Sequence, residues 1–409
     1  MSPDSEPNVD VAIAGAGFVG LTLALALKKA DPHLSVAVID PRPVAAVKGD
    51  DRASAIAAAA RRMLVRLGVW PDVAAEAEPI TEMVITDSRL RDAVRPVFLR
   101  FAGDVEPGEP YAHMIPNDTL FPAVAKSALA AGLREITDTV RTFDADDGGV
   151  DIRLGSGGHI RAGLLVASDG ARSRLRGLAG IGTVGEAYDQ SGIVTTVRHE
   201  LPHEGRAVEH FLPAGPFAIL PLRGNRSSIV WTERTVEANR LVGLDDFSFE
   251  IELARRFGPE LGEVHLDGSR SAYPLSVQIA RAFVAPRFAL AGDAAHAIHP
   301  IAGQGLNMGL RDVAALAEVI VEARRIGLDI GSIDVLERYE SWRRFDTLEM
   351  AATTDLLNRL FSNDLAPVRL ARTVGLGLVD RLPGVKRMFM RQAAGFDPNE
   401  PRLLRGEAI

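Results

Sequence analysis

The chain has 409 residues, 47% hydrophobic and 24% charged, with a formal net charge of −8 and no cysteine. Length suggests two or three domains, and the ordinary apolar fraction argues against general disorder. Lack of cysteine excludes disulfides, thiolate metal sites, cysteine-held iron–sulfur clusters, a cysteine nucleophile and a cysteinyl-linked cofactor, while the acidic balance argues against general nucleic-acid binding. Residues 1–10 carry three acids and no Lys or Arg, unlike the basic start of a secretory signal. A cytoplasmic protein is expected.

Residues 9–14 read as a short buried strand, followed by Gly15-Ala16-Gly17-Phe18-Val19-Gly20 and a helix over 21–30 that Pro32 stops. The apolar run 11–27 is long enough to raise a membrane span, but its three glycines favour strand, turn and helix. Residues 35–39 read as a second strand ending in Asp40, completing a βαβ unit. Alanine-rich 52–67 has a helical composition with Gly68 as its stop; 79–100 suggests strands and 120–131 a helix. Residues 141–160 read as short strands with tight turns, and 164–168 as a buried strand ending in Asp169-Gly170.

The middle of the chain then changes character. Residues 193–197, 207–212, 217–222 and 228–232 read as strands, the last two joined at Gly224-Asn225. This predicts an antiparallel sheet inserted into an α/β chain. Residues 288–291 return to a buried strand, ending in Gly292-Asp293. A long helix begins near Leu306, with Leu306, Leu310, Val313, Ala317 and Ile320 on one face.

Three segments carry chemistry. Gly15, Gly17 and Gly20 would give a tight turn, a close approach to a pyrophosphate and close helix–strand packing. Asp40 lies where a carboxylate can accept from adenosine ribose hydroxyls, and would repel the extra phosphate of NADP. In Asp169-Gly170-Ala171-Arg172-Ser173, the glycine after a strand-end acid allows a sharp turn under a ligand; an ordinary surface turn remains the alternative. In the third segment Asp293 would bind a second ribose or ribityl hydroxyl. Pro300, Gly303 and Gly305 would set backbone N–H groups against a planar ligand, at the positive end of the following helix. A glycine-rich helix cap is the bland reading there.

These segments, in this order, resemble the class A flavin-dependent aromatic monooxygenases, whose fold is that of para-hydroxybenzoate hydroxylase. Gly15, Gly17, Gly20 and Asp40 match that family's FAD fingerprint. Residues 167–176 match its Asp-Gly motif, associated with FAD and NAD(P)H, and 290–296 match its Gly-Asp motif. Arg52 sits where the family commonly has an arginine near the flavin. A narrower resemblance is to the ubiquinone-biosynthesis hydroxylases, through His296, Ile298, Pro300, Ala302, Gly303, Gln304, Gly305, Asn307, Gly309 and Asp312. Tyr188, Gln190, Phe211, Gly215-Pro216, 220–222 and Val230-Trp231 support it. Two departures are Asp40, usually Glu, and Asn117-Asp118, where the family has an Asn-Arg-like pair.

The resemblance implies an α/β fold with a Rossmann-like FAD domain at 1–78, 101–180 and 285–350. An inserted antiparallel-sheet substrate domain would occupy 79–100 and 181–284, and 351–409 would be a C-terminal helical region. It implies NAD(P)H reducing the flavin, O2 forming a flavin hydroperoxide, and hydroxylation of a polyprenylated phenol of ubiquinone biosynthesis. Cofactor contacts would come from Gly15, Gly17, Gly20, Asp40, Arg52, Asp169, Gly170, Gly292, Asp293, Gly303, Gly305, Leu306 and Asn307. Pro300, Gly303 and Gln304 would shape the oxygen-reacting face. Alternatives are a hydroxylase or epoxidase of another apolar aromatic, or a non-catalytic flavoprotein subunit of a biosynthetic complex.

Two further features stand apart. His199-Glu200-Leu201-Pro202-His203 spells a zinc-peptidase pattern, but Pro202 is incompatible with the helix that chemistry needs. No metal site is expected. Residues 365–392 hold six basic residues against one acid, interleaved with apolar ones. They read either as a helical cover over the FAD domain or as a docking surface for anionic inner membrane or a partner protein.

Overall fold

A computed structural model describes residues 9–46, 50–87, 95, 97–298, 304–361, 391, 394–396 and 399–409. The strand Val9–Ala14 is the middle of a largely parallel sheet. Its burial on both faces follows from its run of Val, Ala and Ile, the composition expected of a sheet covered on both sides. Val36–Asp40 and His159–Ala167 flank it in parallel, and Phe288–Leu290 lies beyond the latter. The helix Phe18–Ala30 packs against the later helices Asn117–Ala130 and Gln304–Arg325.

Register is the feature that places the site. Ala14 pairs with Ala167 and Ile39, and Ala167 with Leu290. The parallel strands therefore end at one level, and the three glycine-bearing turns leave the sheet side by side. That edge, outside the carboxyl ends of parallel strands, is where α/β sheets place ligands.

A second, eight-stranded sheet is mostly antiparallel. In order it contains His296–Ala297, Val264–Ala280, Thr183–His199, Arg226–Arg234, Gly215–Leu222, Arg206–Leu212, Glu82–Asp87 and Val97–Ala102. One face packs Phe217, Ile219, Ile229 and Trp231 against Phe249, Leu253 and Phe257 of the helix Asp246–Phe257. The other face turns toward a small sheet of Ala53–Ala57, Ala112–Pro116 and Glu78–Ile80. The two-residue strand His296–Ala297 follows directly from the Gly292-Asp293 turn and pairs with Gln278 and Ile279. It sews the end of the first sheet to the second.

The mixed α/β architecture agrees with the sequence reading, with local corrections. Residues 53–57, read as helical, form the strand Ala53–Ala57, and the helix is confined to Ala58–Leu67. Alanine favours helix intrinsically, but pairing with Ala112–Pro116 overrides that weak preference. The strand expected at 193–197 extends over Thr183–His199, with a register irregularity between Ala187 and Ser191.

Candidate functional site

The first turn is built by steric necessity. Gly15 has φ +108°, and a Cβ there would lie 2.5 Å from the Ser168 carbonyl oxygen. A Cβ on Gly20 would lie 2.0 Å from the Gly15 carbonyl oxygen. Gly17 is different: among the described residues no atom stands within 4 Å of where its Cβ would be, so its backbone is open on that side. Gly17 is also the cap of Phe18–Ala30, with no side-chain cap and no acid in the first turn. The leading N–H groups are thus left for an anionic ligand. Asp40 reaches back to accept from the Ala16 amide at 3.0 Å and from the Arg42 amide at 3.0 Å. Its carboxylate braces the turn beside the crevice.

The second and third turns interlock with the first. Asp169 accepts from the amides of Arg174 and Leu175, at 3.1 and 3.4 Å, and so fixes the turn through Gly170 into the helix Arg174–Leu178. Arg176 donates to the Ala294 carbonyl at 2.8 Å, joining the second motif to the third. Gly292 has φ +64° and a Cβ there would meet Val19 at 2.8 Å, which joins the third motif to the first helix.

Beneath the third turn lies a buried ionic cluster. Asp312 accepts from the Gly292 amide at 2.8 Å, His296 Nε2 at 2.6 Å and Arg343 Nε at 2.9 Å. Asp312 is 0% exposed and Arg343 2%. Burial opposes ionisation of Asp312, but His296 and Arg343 outweigh it and hold the carboxyl below the usual range. Tyr339 donates to the Leu290 carbonyl at 2.8 Å, pinning the strand that feeds the turn. Sequence reading had His296 and Asp312 only through the resemblance. Arg343 and Tyr339 were missed, since they lie on Ile333–Phe361 with no local pattern to mark them.

Arg52 is held by a relay. Asn117 donates to Asp50 at 2.8 Å, and Asp50 accepts from Arg52 Nε at 2.9 Å. The guanidinium lies 5.2 Å from the Tyr273 ring centre and is within electrostatic reach of Asp293. Asp293 is accessible from the crevice yet crowded by protein, and this desolvation raises its pKa against the pull of His296 and Arg52. Asn117 therefore has its amide committed to Asp50 and to Ser54, whose hydroxyl donates to it at 2.7 Å.

Asn307, expected as a cofactor contact, clips Ala53–Ala57 to the long helix. It donates to the Ala55 carbonyl at 2.8 Å and accepts from the Ala57 amide at 2.9 Å. Leu306 is half-buried beside it, and among the described residues nothing lies within 4 Å of a would-be Cβ on Gly305. Gln304 opens the helix. Pro300 and Gly303 lie outside the described residues. His199 and His203 of the zinc-like pattern have their rings engaged with Leu201, Ser227, Leu222 and Gly205, and the segment between them is not helical.

The crevice fits FAD. Among the described residues two glycine backbones are open at helix starts, at Gly17 and Gly305; the Asp40 carboxylate bonds the turn at Ala16, and Asp293 lies in the turn that follows Phe288–Leu290. The donors match a long ligand with a central diphosphate, hydroxyls and a planar end that gains negative charge.

Residues 8–346 match the family model described as FAD binding domain. The chain is 48% identical over 407 residues to "Ubiquinone hydroxylase UbiL" of Rhodospirillum rubrum, covering 97% of this chain and 92% of that protein. It is 35% identical to "3-demethoxyubiquinol 3-hydroxylase" of Escherichia coli, covering 94% of this chain and 98% of that one. Its fold is similar to that of p-nitrophenol 4-monooxygenase PnpA from Pseudomonas putida, with a TM-score of 0.76, 22% identity, and coverage of 94% and 97% of the two chains. The glycine turns, their common level and the match across most of the chain make it a member of the FAD binding domain family.

Proposed function

We propose that this chain is an NAD(P)H- and FAD-dependent monooxygenase that hydroxylates the aromatic ring of a polyprenylated phenol in ubiquinone biosynthesis. The observation that carries this is the alignment of three turns at one sheet edge, which the strand His296–Ala297 joins to the second sheet. The similarity to proteins named as ubiquinone hydroxylases supports the substrate class. Bound FAD would supply oxygen activation and electron transfer.

The residues have separable tasks. Gly15 and Gly20 shape the first turn, and Gly17 lets the diphosphate approach the helix start. Asp40 and Asp293 receive hydroxyls at the two ends of the cofactor. Arg52, held over Tyr273, sets a positive charge at the rim. Gly305 and Leu306, at the start of Gln304–Arg325, would put a helix N-terminus toward the ring that becomes negative on reduction. Asp169 and Gly170 hold the second wall, and Asn307 acts by locking Ala53–Ala57 in place. The second sheet would roof the substrate ring and exclude water. Pro300, Gly303 and Gln304 remain the proposed oxygen-facing residues.

The test uses the purified chain loaded with FAD. Addition of a prenylphenol should stimulate NAD(P)H oxidation and yield a product one oxygen heavier by mass spectrometry. Flavin retention without turnover would instead favour a non-catalytic flavoprotein, and turnover confined to unrelated apolar aromatics or alkenes another hydroxylase or an epoxidase. Accumulated quinone precursors in a deletion strain would identify the ring position.

No helix among the described residues is long and apolar enough to cross a membrane. Apart from Arg391, segment 365–392 lies outside the described residues; Arg391 is exposed and stands 5.7 Å from the Phe396 ring centre. We read the segment as a docking surface for anionic membrane. Arg381, Lys386 and Arg387 changed together to Glu should abolish liposome co-sedimentation, and unchanged binding would refute it.

A further inference from the structure

The inner face of the second sheet is largely apolar, with the small hydroxyl of Ser228 opposite Leu220 and one carboxylic acid, Glu209, opposite Ala218. Ala207, Ala218, Leu220 and Leu222 pack toward Tyr111, Ala112 and Met114. Strand alternation puts Glu209 on the face of Ala207, and it is paired in register with Ala218. Glu209 is 4% exposed. No hydrogen bond satisfies its carboxyl among the described residues, and burial pushes its pKa up to about 7. Tyr111 faces it from the neighbouring module. Among the described residues its phenolic oxygen is buried without a partner, and burial followed by the Glu209 charge keeps it protonated.

These two groups are near enough to act on each other, yet they are not hydrogen-bonded to each other. A buried polar group without a hydrogen bond costs about 1–3 kcal/mol; the Tyr111 oxygen carries that cost beside the Glu209 carboxyl, and a third group bonding to both would relieve it. That group must donate to a carboxylate and accept from a phenol, which a hydroxyl does. The location suits an aromatic ring. The Ala58 amide donates to the Tyr111 carbonyl at 2.9 Å, and Ala57 next to it is bonded to Asn307 in the first turn of Gln304–Arg325. The pair is therefore one strand away from the helix start assigned above to the flavin ring.

We propose that Glu209 and Tyr111 bind the ring hydroxyl of the substrate, Glu209 accepting its hydrogen and Tyr111 donating to its oxygen. This rests on the reading of the chain as a phenol hydroxylase. When the proton passes, the substrate O–H bond breaks, its electron pair stays on the substrate oxygen and Glu209 becomes a carboxylic acid. Electron density then rises at the ring carbons ortho and para to that oxygen, where an electrophilic oxygen is received. Among the described residues, Ala218 and Ile85 flank Glu209 across the strands and Tyr111 faces it; no Arg, Lys or His contributes to its ionisation.

The test compares FAD-loaded wild type with Glu209→Leu, Glu209→Gln and Tyr111→Phe, using a short-chain prenylphenol and its O-methyl ether. Glu209→Leu should lower kcat/KM for the phenol roughly ten- to hundredfold, the loss expected for a hydrogen bond to a charged group. Its kcat/KM for the ether should fall by much less. Glu209→Gln keeps an acceptor, so it should fall between, and its profile should lack the rise in kcat/KM expected of wild type as pH passes about 7. Tyr111→Phe should lower phenol turnover about tenfold, and it carries the test if a Glu209 variant fails to retain flavin absorbance. Unchanged kcat/KM for the phenol, or equal losses for phenol and ether, would overturn the proposal. A wild type that responds to no phenol would bring down the hydroxylase reading, and this pair with it.

Discussion

Asp312 and Glu209 are both buried carboxylic acids, one under the cofactor turns and one on the inner face of the second sheet. Asp312 is met by an amide, an imidazole and a guanidinium, and its pKa is lowered. Glu209 is met by none of these, and its pKa is raised. The contrast separates two ways of making a site. Around the turns, protein groups satisfy one another and leave open backbone at glycines for the ligand. On the sheet face, side chains are left unsatisfied until something arrives. The first kind of site is rigid before binding; the second is completed by it.

The largest effect should come from breaking the preformed side. Gly20→Val places a Cβ against the Gly15 carbonyl, where 2.0 Å is available, and backbone cannot yield as a flexible side chain would. The expected outcome is protein without flavin absorbance and with early thermal unfolding; a yellow, wild-type-like protein would show the turn to be softer than its geometry. Next is Arg343→Met, which leaves Asp312 short of a buried partner. Unfolding in urea should show a loss of about 3–5 kcal/mol, the cost typical of breaking a buried ion pair.

The two acids should also bend stability in opposite pH windows. Asp312 has a folded pKa below its ordinary 3.8. Its contribution is present above pH 3.8 and is lost as pH falls through the folded value. Glu209 goes the other way. Between 4.5 and about 7 the folded chain holds a proton that the unfolded chain has released, so stability falls as pH rises through that window. The fall is on the order of 3 kcal/mol, from the width of the shift. Glu209→Gln should flatten it, and urea unfolding at closely spaced pH values would show this. A wild-type slope that persists in Glu209→Gln would assign it to another group.

The smallest effect on stability, and the sharpest on the comparison, is Gly17→Ala. The added methyl meets no atom of the described residues within 4 Å. Melting temperature without FAD should hardly move, while FAD affinity should fall, by calorimetric titration. Equal affinity would place the diphosphate elsewhere.

Much of the cofactor side was legible because its information is local. Three glycines and an acid at fixed spacing encode a turn whether or not the rest of the chain is known. Arg343 and Tyr339 beneath it were not legible. Arg343 lies 31 residues from Asp312, and nothing near it in sequence says which face of its helix will be buried. Ala53–Ala57 was misread as helix because alanine reports propensity, while the strand is made by a neighbour, Ala112–Pro116. Glu209 looked like any strand residue. Only knowing which face turns inward reveals that the chain placed a charge-bearing group among alanines.

The short strand His296–Ala297 has a mechanical consequence. It begins three residues after Asp293 and is laddered to Gln278 and Ile279 of the second sheet. A swing of that sheet must therefore either rupture these two pairings or drag Asp293 along. The seam works as a rivet and not as a hinge, and motion that admits a bulky substrate has to be sought at the sheet's far edge, toward Val97–Ala102. Amide hydrogens at the rivet should exchange with deuterium slowly, and those along that far edge fast.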